Sequence, residues 1–192
     1  KPETILDMAT GTADFAIEAV RMGLTSQITG MDISQGMLDV GIKKAATKNF
    51  SDRITLIQGD SENLPFQDES FEAYTVAFGV RNFENLDRGL SEMYRVLTPG
   101  SLTVILEFSK PKTFPIKQLF GFYFRYIMPS LGKLVSKDPA AYTYLPESVM
   151  AFPEGQEFLD RLKKIGFIDL RAIPLTGGIA SIYLGRKPGE KQ

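Results

Sequence analysis

The chain of 192 residues contains no histidine and no cysteine. Imidazole acid–base catalysis, His-dependent triads, thiolate nucleophiles and His- or Cys-bound zinc are therefore excluded. Chemistry must come from carboxylates, Arg, Lys, Tyr, hydroxyls, backbone amides or a bound cofactor. Carboxylates stand at three suggestive places. Asp7 precedes the run Met8-Ala9-Thr10-Gly11-Thr12-Ala13, and Asp14 follows it. Asp32 ends Met31-Asp32-Ile33, and Asp60-Ser61 follows Gly59. Small residues in a turn let a ligand approach the backbone, and a helix start offers free amides. A carboxylate at the next strand end can accept both hydroxyls of a ribose. Asp60 and Ser61 are placed to touch an adenine edge. The turn taken alone reads equally well as tight packing.

The elements that must position these residues follow from hydrophobic period. Strands are predicted at Thr4–Ala9, Gln27–Ile33, Ile54–Gln58, Phe71–Phe78 and Leu102–Phe108, with two more at Asp169–Leu175 and Ile179–Gly185. Between them Phe15, Ala16, Ala19 and Val20, then Met37, Leu38, Ile42, Ala45 and Ala46, fall on helix faces. Gly23 stops the first helix and Ser34 caps the second. Leu86, Leu90, Met93 and Leu97 mark a third helix, which Pro99-Gly100 should end. Phe158, Leu159, Leu162 and Ile165 mark another before Gly166. This alternation predicts a mostly parallel sheet with helices on both faces. The last two strands, joined at Thr176-Gly177-Gly178, are too close for a crossover helix and should pair antiparallel at one edge. The stretch 109–153 is too long for a plain loop and should carry its own structure.

In a doubly wound sheet a ligand sits at the carboxyl ends of strands near the switch point, where all three carboxylate signals fall. The turn lacks the G-x-G-x-x-G spacing that seats a pyrophosphate, and Asp14 would repel one. A ligand with a ribose, an adenine and a cationic centre fits better, and S-adenosylmethionine has all three.

Composition narrows the class further. Apolar residues make up 43% and charged residues 23%, enough for a sizeable core. Lys plus Arg is 22 against 23 Asp plus Glu, so no basic excess points to nucleic acid. No signal peptide is expected. The stretch closest to a membrane span, Phe114 to Leu131, is interrupted by Lys117, Arg125 and Pro129. A cytoplasmic protein is the expectation.

Several blocks make the sequence resemble the ubiquinone/menaquinone-biosynthesis C-methyltransferases, the demethylmenaquinone methyltransferase family of class I S-adenosylmethionine-dependent enzymes. They are Leu6 to Phe15, Asn63-Leu64-Pro65-Phe66, Ala77-Phe78-Gly79-Val80-Arg81-Asn82, Met93 to Leu97, Leu106 to Pro111, Tyr142 to Ser148 and Leu175 to Ile179. The first is generic to methyltransferases; the F-G-x-R-N and Y-x-Y-L-x-E-S blocks are specific. The resemblance covers nearly the whole chain. It implies a Rossmann-like α/β class I fold with seven strands, the last antiparallel. It also implies one methyltransferase domain with a helical insertion, 109–153, over the substrate site. S-adenosylmethionine would lie against Asp7, Gly11, Thr12, Asp32, Ile33, Asp60, Ser61, Ala77 and Phe78. Three departures stand out. Ala13 occupies a usual Gly position, Ala77 replaces a Ser of some members, and an N-terminal segment with a helical lid precedes the matching region in the family.

The family methylates a ring carbon of a reduced prenylated quinone. Carbon becomes nucleophilic when an adjacent hydroxyl loses its proton. Arg81 and Asn82 are the expected catalytic pair. Arg81 stays protonated and cannot readily act as a base, so it would stabilise the aryl oxide and orient a water or hydroxide that takes the proton. Asn82 would hold the same oxygen or that water. In the competing reading Arg81 pairs only with Glu84 or Asp87 at the surface. Tyr142, Tyr144 and Phe124 are expected at the substrate, and Glu107 and Ser109 face the site by position. Capping and loop pairing would explain these last two as well, and a packed core would explain the aromatics. Lys112, Lys117, Arg125, Lys133 and Lys137 could meet anionic headgroups at the inner membrane face. No metal is expected, because the sulfonium already activates the methyl and no ligand cluster is present. Demethylmenaquinol is the expected acceptor. A ubiquinone precursor, another apolar acceptor and a non-catalytic S-adenosylmethionine-binding scaffold remain as alternatives.

Overall fold

Seven strands build one sheet: β1 (Thr4–Met8), β2 (Gln27–Asp32), β3 (Ile54–Gln58), β4 (Phe71–Ala77), β5 (Leu97–Phe108), β6 (Ile168–Leu175) and β7 (Ala180–Arg186). The computed structural model describes residues 1–122 and 144–189 in full and residues 139–143 as backbone. The strand order is β3-β2-β1-β4-β5-β7-β6. The first five strands pair in parallel, and β7 runs antiparallel to β5 and to β6. Strand order reverses at β1, so the crevice of such a sheet opens at the carboxyl ends of β1, β2 and β4.

β1 lies mid-sheet with Ile5, Leu6, Asp7 and Met8 all buried. A parallel strand covered on both faces reads as a continuous apolar run, and Asp7 is its one polar interruption. Helices α1 (Asp14–Arg21), α2 (Gln35–Thr47), α3 (Leu86–Val96), α4 (Ile116–Phe122), α5 (Pro139–Ala151) and α6 (Gln156–Ile165) accompany the sheet. One core packs Ala13, Ala16 and Ile17 against Ile5, Ile28 and Ile54. The larger core packs Leu90, Met93, Phe158 and Leu162 over Leu6, Tyr74, Ile105 and Tyr183. The Ser34 hydroxyl accepts from the Met37 N–H at 3.4 Å to cap α2, and Asn85 accepts from Arg88 N–H at 3.1 Å to cap α3. Gly89 lets α3 sit against Phe83, whose Cδ2 lies 2.4 Å from where a Cβ would be.

Most strand ends lie within one residue of the sequence expectation, but the junction of α3 and β5 does not. α3 ends at Val96, and β5 begins at Leu97 rather than Leu102. Leu97 pairs with Phe71 before Pro99-Gly100, and the register then jumps to Leu102 opposite Ala73. Pro99 disfavours helix at Thr98, and Gly100 takes a left-handed φ of 83° with its N–H on Lys187 O at 3.0 Å. The expected helix stop is thus a jog inside a strand.

Of the stretch 109–153, the described parts are α4, α5 and their flanks. Lys110 ties the end of β5 to the end of α5: its Nζ donates to the carbonyls of Met150 at 3.2 Å and Phe152 at 3.4 Å. No helix among the described residues is long and apolar enough to cross a membrane.

Candidate active site

The turn after β1 is shaped by left-handed backbone at Ala9 (φ 53°), Gly11 (58°) and Ala13 (61°). For non-glycine residues such a conformation costs about 1–2 kcal/mol each. Beneath the turn, both oxygens of buried Asp7 are engaged: Oδ2 accepts from Thr10 Oγ1 at 2.6 Å and Oδ1 from Thr75 Oγ1 at 2.8 Å. Burial pushes the Asp7 carboxyl up to about 6, against the pull of those two hydroxyls and with help from nearby Asp32. Asp7 is therefore placed under the floor of the site, supporting Thr10, rather than at its surface.

That surface is a cleft of about 630 Å³ along the carboxyl ends of β1, β2, β3 and β4. Gly11, Thr12, Asp32, Ile33, Asp60, Ser61, Ala77 and Phe78 all line it, as does Asn82. Asp32 is fixed from two sides, its Oδ2 accepting from Gly11 N–H at 2.8 Å and its Oδ1 from Ser34 N–H at 2.9 Å. Each oxygen keeps a second lone pair for a ligand hydroxyl. Asp60 closes a tight turn by accepting from Glu62 N–H at 2.9 Å. Ile33, 71% exposed, and Phe78, itself at a left-handed φ of 58°, offer apolar surface to a planar base. Thr12 lines the cleft, but its hydroxyl already donates to Asp14 at 2.7 Å and accepts from Lys44 Nζ at 2.8 Å.

The lining holds Asp14, Asp32, Asp60, Glu62 and Glu84 and, among the described residues, no Lys or Arg. Such a wall suits a cationic ligand bearing hydroxyls and repels a pyrophosphate. Gly79 permits the close approach of β4 to the turn, since a Cβ there would fall 2.3 Å from Ala9 Cβ. The methyl of Ala13 points into the α1 core and away from the cleft, so it tightens the turn without crowding a ligand.

Beyond Phe78 and Gly79 the chain makes one 3-10 turn, Val80–Asn82. Its middle residue, Arg81, points inward. Arg81 Nη1 donates to Glu107 Oε1 at 2.8 Å and to the Phe78 carbonyl. The guanidinium also lies 5.3 Å from the centre of the Phe108 ring. The surface pairing with Glu84 or Asp87 does not form; Asp87 pairs with Arg161 at 2.9 Å. Burial pushes the Glu107 carboxyl up, and the Arg81 charge and two backbone N–H groups pull it back in part. Arg81 lines a second cavity, of about 380 Å³, with Val80, Phe83, Tyr144, Ser148 and Phe152. Asn82 stands between the two spaces, its Oδ1 accepting from Tyr144 Oη at 3.0 Å.

Tyr144 thus reaches the site from α5. Tyr142 lies in α5 with its side chain outside the described residues, and Phe124, Arg125, Lys133 and Lys137 lie outside them altogether. Ser109 does not join the site: its hydroxyl bonds the Gly178 carbonyl and Ser181 Oγ, both at 2.9 Å, stitching β5 to the turn before β7. Glu107 lines neither cavity; fully buried, it touches the site only through Arg81, at a depth that position alone did not reveal. The available signal is the alternation along β5, where Thr103, Ile105 and Glu107 all fall on the buried face.

A profile of the ubiE/COQ5 methyltransferase family matches residues 1–187. The chain is 46% identical over 187 residues to a protein of Bacteroides fragilis named demethylmenaquinone methyltransferase, covering 97% of this chain and 76% of that one. It is 45% identical over 184 residues to the ubiquinone/menaquinone biosynthesis C-methyltransferase UbiE of Geotalea daltonii, covering 95% and 78%. Among solved structures, a SAM-dependent methyltransferase from Aquifex aeolicus superposes with a TM-score of 0.69 at 16% identity, over 96% of this chain and 81% of that one. That likeness establishes the shared class I fold.

Proposed function

Because the chain belongs to the ubiE/COQ5 methyltransferase family, we propose that it methylates a ring carbon of demethylmenaquinol to give menaquinol. It is an S-adenosylmethionine-dependent methyltransferase of quinone biosynthesis. The observation that carries the reading is the acid-lined cleft in which Gly11 and Ser34 clamp Asp32 and which ends at Asn82. The residues present fit the cofactor. Asp32 would accept the ribose hydroxyls, Asp60 and Ser61 would meet the adenine edge, and Ile33 and Phe78 would flank its faces. When bound, S-adenosylmethionine supplies a methyl group activated by its positively charged sulfur.

The chain's own residues handle the acceptor. A quinol ring carbon becomes nucleophilic as the neighbouring hydroxyl loses its proton; once that carbon has gained the methyl it sheds its own ring proton and the oxygen takes one up, which restores the quinol. A guanidinium offers donors and no basic site, so Arg81 stabilises the developing oxide while the proton leaves to water. Asn82, held by Tyr144, orients that oxygen or the water beside it. The cavity under α5, walled by Val80, Phe83, Tyr144 and Phe152, is apolar enough for a prenylated ring. Peripheral membrane contact belongs to the same proposal. Phe114 and Leu119, 82% and 64% exposed, lie near Lys112 and Lys117 in sequence, a pairing suited to an anionic lipid surface.

The test is transfer of labelled methyl from S-adenosylmethionine to demethylmenaquinol by the full chain. Menaquinol as product is the expected result. Methylation of some other phenol with demethylmenaquinol untouched would overturn the acceptor assignment.

A further inference from the structure

We infer that Glu107 is a positioning residue for methyl transfer: it fixes the Arg81 guanidinium and the Val80–Asn82 turn beside the acceptor and offsets the guanidinium charge. The inference rests on the acceptor chemistry proposed above.

Glu107 is fully buried at the end of β5. Its Oε1 accepts from Arg81 Nη1 and from Phe108 N–H, both at 2.8 Å, and its Oε2 accepts from the backbone N–H of Arg81 at 3.2 Å. One carboxylate therefore holds both the main chain and the side chain of residue 81. The next residue, Asn82, faces the cofactor cleft and bonds Tyr144. Phe108 lies under the guanidinium and packs on Phe78 with ring centres 4.6 Å apart. The Arg81 side chain is held from three directions, while its buried Nε–H has no partner among the described residues.

Stability alone is a weak reason for a charge pair at this spot. Replacing a buried ion pair with apolar residues of similar volume is often neutral or stabilising. A guanidinium fixed by a carboxylate, however, is aimed before the substrate arrives. Alignment of this kind supplies rate, and a misplacement of about 1 Å can cost about 100-fold. The carboxylate also tempers the cation, so that the acceptor hydroxyl titrates against a nearly neutral pair. Besides Arg81, the ionisable group facing Glu107 among the described residues is Tyr183 on β7, which in turn feels Glu154.

The test is steady-state kinetics on demethylmenaquinol with the full chain carrying Glu107→Gln, Glu107→Asp, Arg81→Ala or the Arg81→Ala/Glu107→Gln pair. S-adenosylhomocysteine titration confirms that each variant retains the cofactor cleft, and Glu107→Asp carries the test if the Gln variant does not fold. Glu107→Gln is expected to lower kcat about 100-fold with an unchanged KM for S-adenosylmethionine. Its acid limb should move to lower pH, because the unmasked cation favours the oxide. Glu107→Asp should keep the parent pH profile with an intermediate kcat. Adding Glu107→Gln to Arg81→Ala should cost nothing further. A Gln variant with parent kcat and pH profile would overturn the inference, and so would an independent, multiplicative loss in the Arg81→Ala background. An unmutated chain inactive on demethylmenaquinol would instead refute the acceptor assignment, which separates the two failures.

Discussion

Replacing Asp7 with Asn should stabilise the protein at neutral pH, and the size of the gain should depend on pH in a defined way. Asp7 is buried under the turn after β1, where its carboxyl is pushed from an ordinary 3.8 to about 6. At about 1.4 kcal/mol for each pH unit, that rise corresponds to about 3 kcal/mol. The folded carboxyl binds its proton more tightly than the unfolded one. Below pH 3.8 both states are protonated and the burial is unpenalised. Between 3.8 and about 6 the unfolded chain releases the proton first, so stability falls as pH rises; above about 6 the full penalty is present. Asn matches the protonated carboxyl in shape, and the Thr10 and Thr75 hydroxyls can rotate to suit the amide. The assay is urea unfolding of parent and Asp7→Asn from pH 4 to 8, read as the difference between the two stabilities. That difference should be within about 1 kcal/mol at pH 4 and grow to about 3 kcal/mol in favour of Asn by pH 7.5. Carboxylates remote from Asp7 contribute equally in both proteins and cancel. A difference that stays flat across the range would refute the claim that Asp7 carries a buried charge.

Three further outcomes are expected. Asp32→Ala removes the acceptor of Gly11 and Ser34 as well as the ribose anchor. S-adenosylhomocysteine affinity should drop by about 3 kcal/mol in calorimetric titration, the scale of two charge-assisted hydrogen bonds, and unchanged binding would move the cofactor elsewhere. Tyr144→Phe deletes the bond to Asn82 Oδ1 from a half-exposed position. Unfolding free energy should change by less than about 1 kcal/mol, while kcat/KM for the quinol falls and cofactor affinity does not; an intact kcat/KM would detach α5 from the site. Ala13→Gly relieves a left-handed φ of 61° but removes a buried methyl. The two effects, each about 1 kcal/mol, oppose each other, so urea midpoints should nearly coincide and affinity for S-adenosylhomocysteine should hold.

The carboxylates at the strand ends were legible because the elements carrying them are local. β1, β2 and β3 are short apolar runs bounded by turn residues, and Ser34 caps the helix that follows β2. A sheet of this kind puts every parallel strand's carboxyl end at one edge, so Asp32, Asp60 and Arg81 had to converge there. The β5 boundary was less legible, since Pro99-Gly100 signals a helix stop and a strand jog equally well. Asp7 and Thr12 belong to the right turn, yet side-chain direction separates one that faces the core from one whose hydroxyl is engaged by Asp14 and Lys44.

The amino-acid sequence by itself determined the excluded chemistries, the alternation of strands and helices, the edge where a ligand belongs and the candidacy of Arg81 and Asn82. Tertiary structure alone decided what Arg81 does there. Its carboxylate partner is Glu107, 26 residues on and on a different strand, rather than the nearby Glu84 or Asp87. No local pattern encodes that choice, because a buried ion pair forms only where the packed fold brings the two charges together and supplies the hydrogen bonds that offset their lost water. That happens only after β4 and β5 are paired and the turn at Val80–Asn82 is folded over the end of β5.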